Sequence, residues 1–182
     1  MSTLVIPSKR KTAFVLAGGG SVGAVQVGML RALLEDGVDA DLVVGSSARA
    51  FNAAYFAGRP TLGGVSALGS LWRNLRRTDV LPLGWRGLWG FVRRRDHLVP
   101  TDGLRRLVDH HLPYVNLEDV SLPVHVVATD MLSGEAVVLS KGPEAAAVLA
   151  SSAIPAAFPP VEIGGRLLCD GAVASNTPIR VE

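Results

Sequence analysis

The chain has a single cysteine, Cys169, so no intrachain disulfide can staple it. That fits a reducing compartment, and the chain reads as cytoplasmic. It has no run near the ~18–20 uninterrupted apolar residues of a membrane-spanning helix. Lys9-Arg10-Lys11 is followed by an apolar stretch that stops at a glycine cluster without a cleavage site, a pattern that argues against an ordinary signal peptide. There is no internal repeat and no low-complexity tract. The four histidines, His97, His110, His111 and His125, all precede the carboxylates nearest the C-terminus, so a Ser…Asp…His triad order is absent. What remains is foldable: 182 residues, 48% hydrophobic and 19% charged, enough for one domain with a sizeable core.

Apolar runs and helical spacings alternate along the chain. Residues 1–11 form a polar lead-in and 12–182 a single domain. Thr12–Leu16 reads as a buried strand, and Val22, Val25, Met29, Leu30, Leu33 and Leu34 recur at helical spacing up to Asp36-Gly37. Leu42–Val44 reads as a strand, and 48–57 and 65–75 as helices. Residues 78–102 read as irregular and 103–111 as a short helix. Residues 124–129 and 136–139 read as strands joined through Ser133-Gly134, 144–151 as a helix and 166–169 as a last strand. Alternating strands and helices, with several strands apolar throughout, predict an α/β fold. The expected form is a three-layer α/β/α sandwich around a mainly parallel sheet.

Two segments at strand-to-helix junctions carry chemistry. Gly18-Gly19-Gly20-Ser21-Val22-Gly23 suits a dinucleotide pyrophosphate, an oxyanion or a plain tight turn, because free amides at a helix start attract negative charge. The dinucleotide reading needs an acid after the second strand. Asp39 and Asp41 precede that strand, which disfavours it. The second segment, Gly45-Ser46-Ser47-Ala48-Arg49, follows Leu42–Val44 and matches the nucleophile-elbow pattern G-x-S-x-G except that Arg49 stands at the last glycine.

A serine needs a neighbouring base. His125 falls within a strand and His110-His111 end a helix, where positive charge suits the dipole. Asp170 closes an apolar strand ahead of Gly171-Ala172. It can act as a base whose pKa is raised by partial burial, or simply start an Asp-Gly turn.

The glycine loop, Gly45-Ser46-Ser47-Ala48, Thr129–Glu135, the stretch Ala150–Pro160 and Asp170-Gly171-Ala172 occur in that order. Together they resemble the patatin-like phospholipase family over about residues 12–178. The resemblance implies a patatin-like fold and a Ser47–Asp170 dyad without histidine. It implies an oxyanion hole drawn from Gly18, Gly19, Gly20, Gly23 and Ala48, with Gly45 and Arg49 shaping the elbow. The implied reaction is acyl-ester hydrolysis of phospholipids or neutral lipids through an acyl-enzyme, with no metal or cofactor.

Three features depart from the family pattern. Arg49 must swing outward to solvent, deform the turn, block the acyl pocket or pair with Asp170. Val22 stands where the family carries Arg or Lys. The chain stops soon after the aspartate motif, where family members continue with further strand and helix. These departures motivate the alternative, a catalytically impaired, lipid- or membrane-binding member of the same fold.

Trp72, Trp85 and Trp89 lie near Phe91, Arg73, Arg76, Arg77, Arg86 and Arg93-Arg94-Arg95. Arginine with tryptophan suits peripheral contact with a membrane interface; a solvated basic face with tryptophans tucked into the core is the alternative. No nucleic-acid motif accompanies the basic residues.

Overall fold

A computed structural model of the chain describes residues 11–18, 23–75, 102–112, 114–175 and 177–178. The expected irregular stretch lies outside these residues except for Asp102, which opens a helix. The strands are β1 (Ala13–Leu16), β2 (Leu42–Ser46), β3 (Val124–Asp130), β4 (Ala136–Leu139), β5 (Val161–Ile163) and β6 (Arg166–Asp170). The helices are α1 (Gly23–Glu35), α2 (Ala50–Gly58), α3 (Leu62–Asn74), α4 (Asp102–His111) and α5 (Glu144–Ser151). Short 3-10 turns span Ser47–Arg49 and Leu117–Asp119.

Their boundaries follow local chemistry. At the end of α1, the Val38 N–H donates to the Leu33 carbonyl while Gly37 takes φ +73°, a left-handed cap that glycine adopts at little cost. At the start of α3 the Thr61 hydroxyl accepts from the Gly64 N–H at 3.1 Å. Helix α2 is buried from Ala50 through Ala57, so it is an interior helix, packed against β2, β3, α3 and α5. Its alanines let the helix approach the sheet, and Phe56 stacks on Phe14 of β1 at 6.0 Å between ring centroids. The main core gathers around this helix from β1, β2, β3, α1, α3 and α4.

The sheet is mixed and flanked by helices. β1, β2 and β3 run parallel, while β4 and β6 pair antiparallel with β3, and β5 with β6. The pairing registers place the site. β2 pairs with Val124–Val127 and β4 with Val126–Thr129, so these two strands occupy opposite edges of β3. β6 pairs with Ala128–Asp130 and overlaps β4, so it lies on the edge that β2 has just left. β2 stops at Ser46 opposite Val127, and β6 stops at Asp170 opposite Ala128. Two strands running in opposite directions therefore end head to head on neighbouring rungs of β3. β5 and its Gly164-Gly165 turn have no counterpart in the sequence reading. The three residues Val161–Ile163 are too short to show a period, and both glycines take positive φ.

Candidate active site

Ser47 follows β2 directly and takes φ +60°, the left-handed region that a non-glycine residue occupies only when its surroundings hold it there. The turn throws its side chain toward the end of β6. The Ser47 Oγ donates to the Asp170 Oδ2 at 2.7 Å, and both residues are buried. Burial pushes the Asp170 carboxyl above its ordinary pKa. The hydrogen bonds from Ser47 and from the Ala172 N–H, 2.8 Å from Oδ1, pull it back more weakly. The 3-10 turn begins at Ser47 and runs into α2 at Ala50, so the positive N-terminal end of α2 lies one turn beyond the serine.

The close approach depends on two glycines. A Cβ on Gly45 would stand 2.6 Å from the Ala53 Cβ and 2.8 Å from the Ala50 Cα, so Gly45 lets α2 lie down on β2. A Cβ on Gly171 would stand 2.0 Å from the Val127 carbonyl oxygen and 2.8 Å from the Ser46 Oγ. Asp170-Gly171 is therefore more than a turn signal: its glycine lets β6 end against β3. The Ala172 N–H, in turn, orients the carboxylate.

Arg49 is buried, contrary to the solvent-directed course open to it in the sequence. Its backbone is ordinary right-handed helical, φ −92° and ψ −6°, so the position does not require glycine. The guanidinium Nη1 donates to the Ala17 carbonyl, which also accepts from the Gln26 Nε2 at 3.2 Å. Arg49 thus links the elbow to the foot of the glycine loop, and burial lowers its pKa from a very high starting value.

Other residues named from the sequence fall as follows. Gly18 follows β1, Gly23 opens α1, and Ala48 is exposed in the turn after Ser47. Gly19, Gly20 and Val22 lie outside the described residues, as do Trp85, Trp89 and Arg93–Arg95. Trp72 turns inward. Its ring lies against Gly23 and its indole N–H donates to the Asn52 Oδ1 at 2.8 Å, which gives it a packing role. His125 lies in β3, where burial lowers its pKa. His110 and His111 sit edge to face at the end of α4.

The sequence reading missed three side chains that hold the site. Ser151 Oγ accepts from the Ser47 N–H at 2.9 Å and donates to the Val127 carbonyl at 2.6 Å. Ser152 Oγ donates to the Ser47 carbonyl at 3.3 Å. Thr129 Oγ1 donates to the Asp170 carbonyl at 2.8 Å. All three lie inside segments that carry the family resemblance, yet nothing local to them says what they face.

The site defines the class: an α/β protein whose left-handed strand-to-helix turn presents a buried serine hydroxyl to a buried carboxylate. The family model for patatin-like phospholipases matches residues 14–181. The chain belongs to that family. It is 33% identical over 180 residues to the uncharacterised NTE family protein Rv1063c of Mycobacterium tuberculosis, covering 94% of this chain and 45% of that protein. It is 28% identical over 171 residues to patatin-like phospholipase domain-containing protein 7 of Rattus norvegicus, 93% of this chain and 12% of that one. The chain thus spans less than half the length of these curated relatives. Its fold matches the crystal structure of VipD from Legionella pneumophila with a TM-score of 0.66 at 18% identity, covering 94% of this chain and 48% of that one. Among the described residues, no helix is long and apolar enough to cross a membrane.

Proposed function

We propose that this chain is a lipid acyl-ester hydrolase in which Ser47 is the nucleophile and Asp170 its base. The observation that carries the reading is the 2.7 Å hydrogen bond from the Ser47 hydroxyl to a buried carboxylate. Asp170 takes the hydroxyl proton as Ser47 Oγ bonds to the ester carbonyl carbon. The resulting oxyanion is held by backbone N–H groups of Gly19, Gly20 and Ala48. As the tetrahedral intermediate collapses, the proton passes to the departing alcohol and an acyl-Ser47 remains. Asp170 then removes a proton from water, which attacks the acyl carbon, and Ser47 Oγ leaves with the proton. The Ser47 N–H is engaged by Ser151 and is not assigned to the oxyanion. The substrate class is an acyl ester of a phospholipid or neutral lipid, and the Trp85–Arg95 composition is the part of the chain we assign to lipid contact.

A fluorophosphonate probe is expected to label the wild-type protein on Ser47, read by mass spectrometry of the modified peptide. Ser47→Ala should abolish both labelling and ester turnover; turnover surviving in that variant would sink the proposal.

Arg49 is assigned to scaffolding the glycine loop. Arg49→Gly should therefore bring no gain in turnover. It should lower Tm by roughly 5–10 °C, the equivalent of losing a buried charged hydrogen bond and its packing at about 2–3 kcal/mol. A variant that hydrolyses esters faster than wild type would show that Arg49 instead obstructs the site.

A further inference from the structure

A non-glycine residue at φ +60° is held by its surroundings; here one segment reaches both polar groups of the Ser47 backbone, whose carbonyl also accepts from the Ala50 N–H within the 3-10 turn. Ser151, the last residue of α5, takes the Ser47 N–H, and Ser152, the next residue, reaches the Ser47 carbonyl. Ser151 is itself fixed to the sheet through the Val127 carbonyl. The same segment also holds the base. The Ala153 carbonyl accepts from the Asp170 N–H at 2.9 Å, and the Ser151 carbonyl accepts from the Gly171 N–H at 3.1 Å. Ser151 and Ser152 are both buried, so these bonds form away from competing water.

We propose that Ser151 and Ser152 are positioning residues: their hydroxyls clamp the Ser47 peptide from both sides in its left-handed conformation, while the backbone of Ser151–Ala153 fixes Asp170 at hydrogen-bond distance. The catalytic part of this inference rests on the Ser47–Asp170 dyad; the clamp itself does not. Neither hydroxyl touches the reacting atoms. Ser151 acts through the Ser47 N–H and Ser152 through the Ser47 carbonyl. Losing either lets the elbow relax toward ordinary dihedrals and lengthens the Oγ–Oδ2 approach. The expected mark of such a defect is a slower chemical step with ester binding unchanged, because reaction falls steeply when attacking groups drift by fractions of an ångström.

The test compares wild type, Ser151→Ala and Ser152→Ala with two readouts. In hydrogen exchange followed by NMR, the Ser47 amide should exchange at least about tenfold faster in Ser151→Ala than in wild type. In fluorophosphonate kinetics, the maximal inactivation rate of folded Ser151→Ala should fall at least about tenfold, with the half-saturating probe concentration within about twofold. A merely structural serine would lower Tm and leave the labelling rate of the folded protein unchanged. An unchanged Ser47 exchange rate, or wild-type labelling by folded Ser151→Ala, overturns the clamp. If Ser151→Ala does not fold, Ser152→Ala decides: a labelling rate at least about threefold below wild type supports the clamp, and an unchanged rate overturns it. If wild type is not labelled but Ser151→Ala frees the Ser47 amide, the clamp stands and the hydrolase reading falls.

Discussion

Asp170→Asn is expected to lower kcat/KM for ester hydrolysis by about 10³–10⁴-fold, the scale of losing a positioned general base, without destabilising the protein at neutral pH. Asparagine keeps the shape of the side chain, and its Oδ1 can still accept from the Ala172 N–H, but it cannot take the Ser47 proton. The stability half of the prediction follows from the raised pKa. A carboxyl whose pKa is higher folded than unfolded binds its proton more tightly in the folded state. It therefore favours folding at low pH and loses that contribution as pH rises through the folded value. Above its folded value Asp170 is ionised in a site that resists ionisation, and the neutral amide removes that cost. The variant's Tm at pH 7 should equal or exceed that of wild type, and the gap should shrink on acidification. The wild-type rate should fall on the acid side at a pH above the ordinary aspartate range, since only the ionised carboxylate accepts a proton. A marked drop in Tm for Asp170→Asn at pH 7, or activity within tenfold of wild type, would contradict this account of the site.

Gly171→Ala should damage stability and activity together. The added Cβ would meet the Val127 carbonyl oxygen at 2.0 Å and its carbon at 2.7 Å, and neither is a flexible side-chain tip. The end of β6 must move away from β3, which pulls on the bonds from Asp170 N–H to Ala153 and from Gly171 N–H to Ser151. Overpacking of this kind costs about 1–3 kcal/mol, or roughly 2–12 °C in Tm for a chain of this size. A shift near an ångström in the base costs about 10²-fold in rate. Circular-dichroism melting and steady-state turnover check the two effects. A variant with both within experimental scatter of wild type would mean that β6 does not depend on this approach.

These two predictions separate what was legible from what was not. The alternation of Phe14–Leu16, Leu42–Val44 and Val124–Thr129 with helical spacings identified the parallel half of the sheet, because buried parallel strands are written as continuous apolar runs. Elbow and aspartate were legible for the same reason: each stands where an apolar run ends. The direction of β6 was not. The apolar run Leu167-Leu168-Cys169 carries no sign of whether its neighbour runs with it or against it, and the antiparallel course makes the ends of β2 and β6 meet. Arg49 was open for a related reason. Its sequence position fixes its charge and length, but the direction of its side chain depended on a carbonyl 32 residues earlier in the chain.

The sequence by itself determined the α/β class, the order of the motifs, and which serine and which aspartate stand at strand ends. These properties depend on local periodicity and on residues within a few positions of one another. Only the tertiary structure decided that Ser47 and Asp170, 123 residues apart, meet at 2.7 Å, that Arg49 turns inward, and that Ser151 and Ser152 grip the Ser47 peptide. Each of those facts is a contact between segments brought together by strand pairing and helix packing, β2 and β6 on β3 for the serine and aspartate and β1 beside β2 for Arg49, and register arises from the packing of the whole sheet.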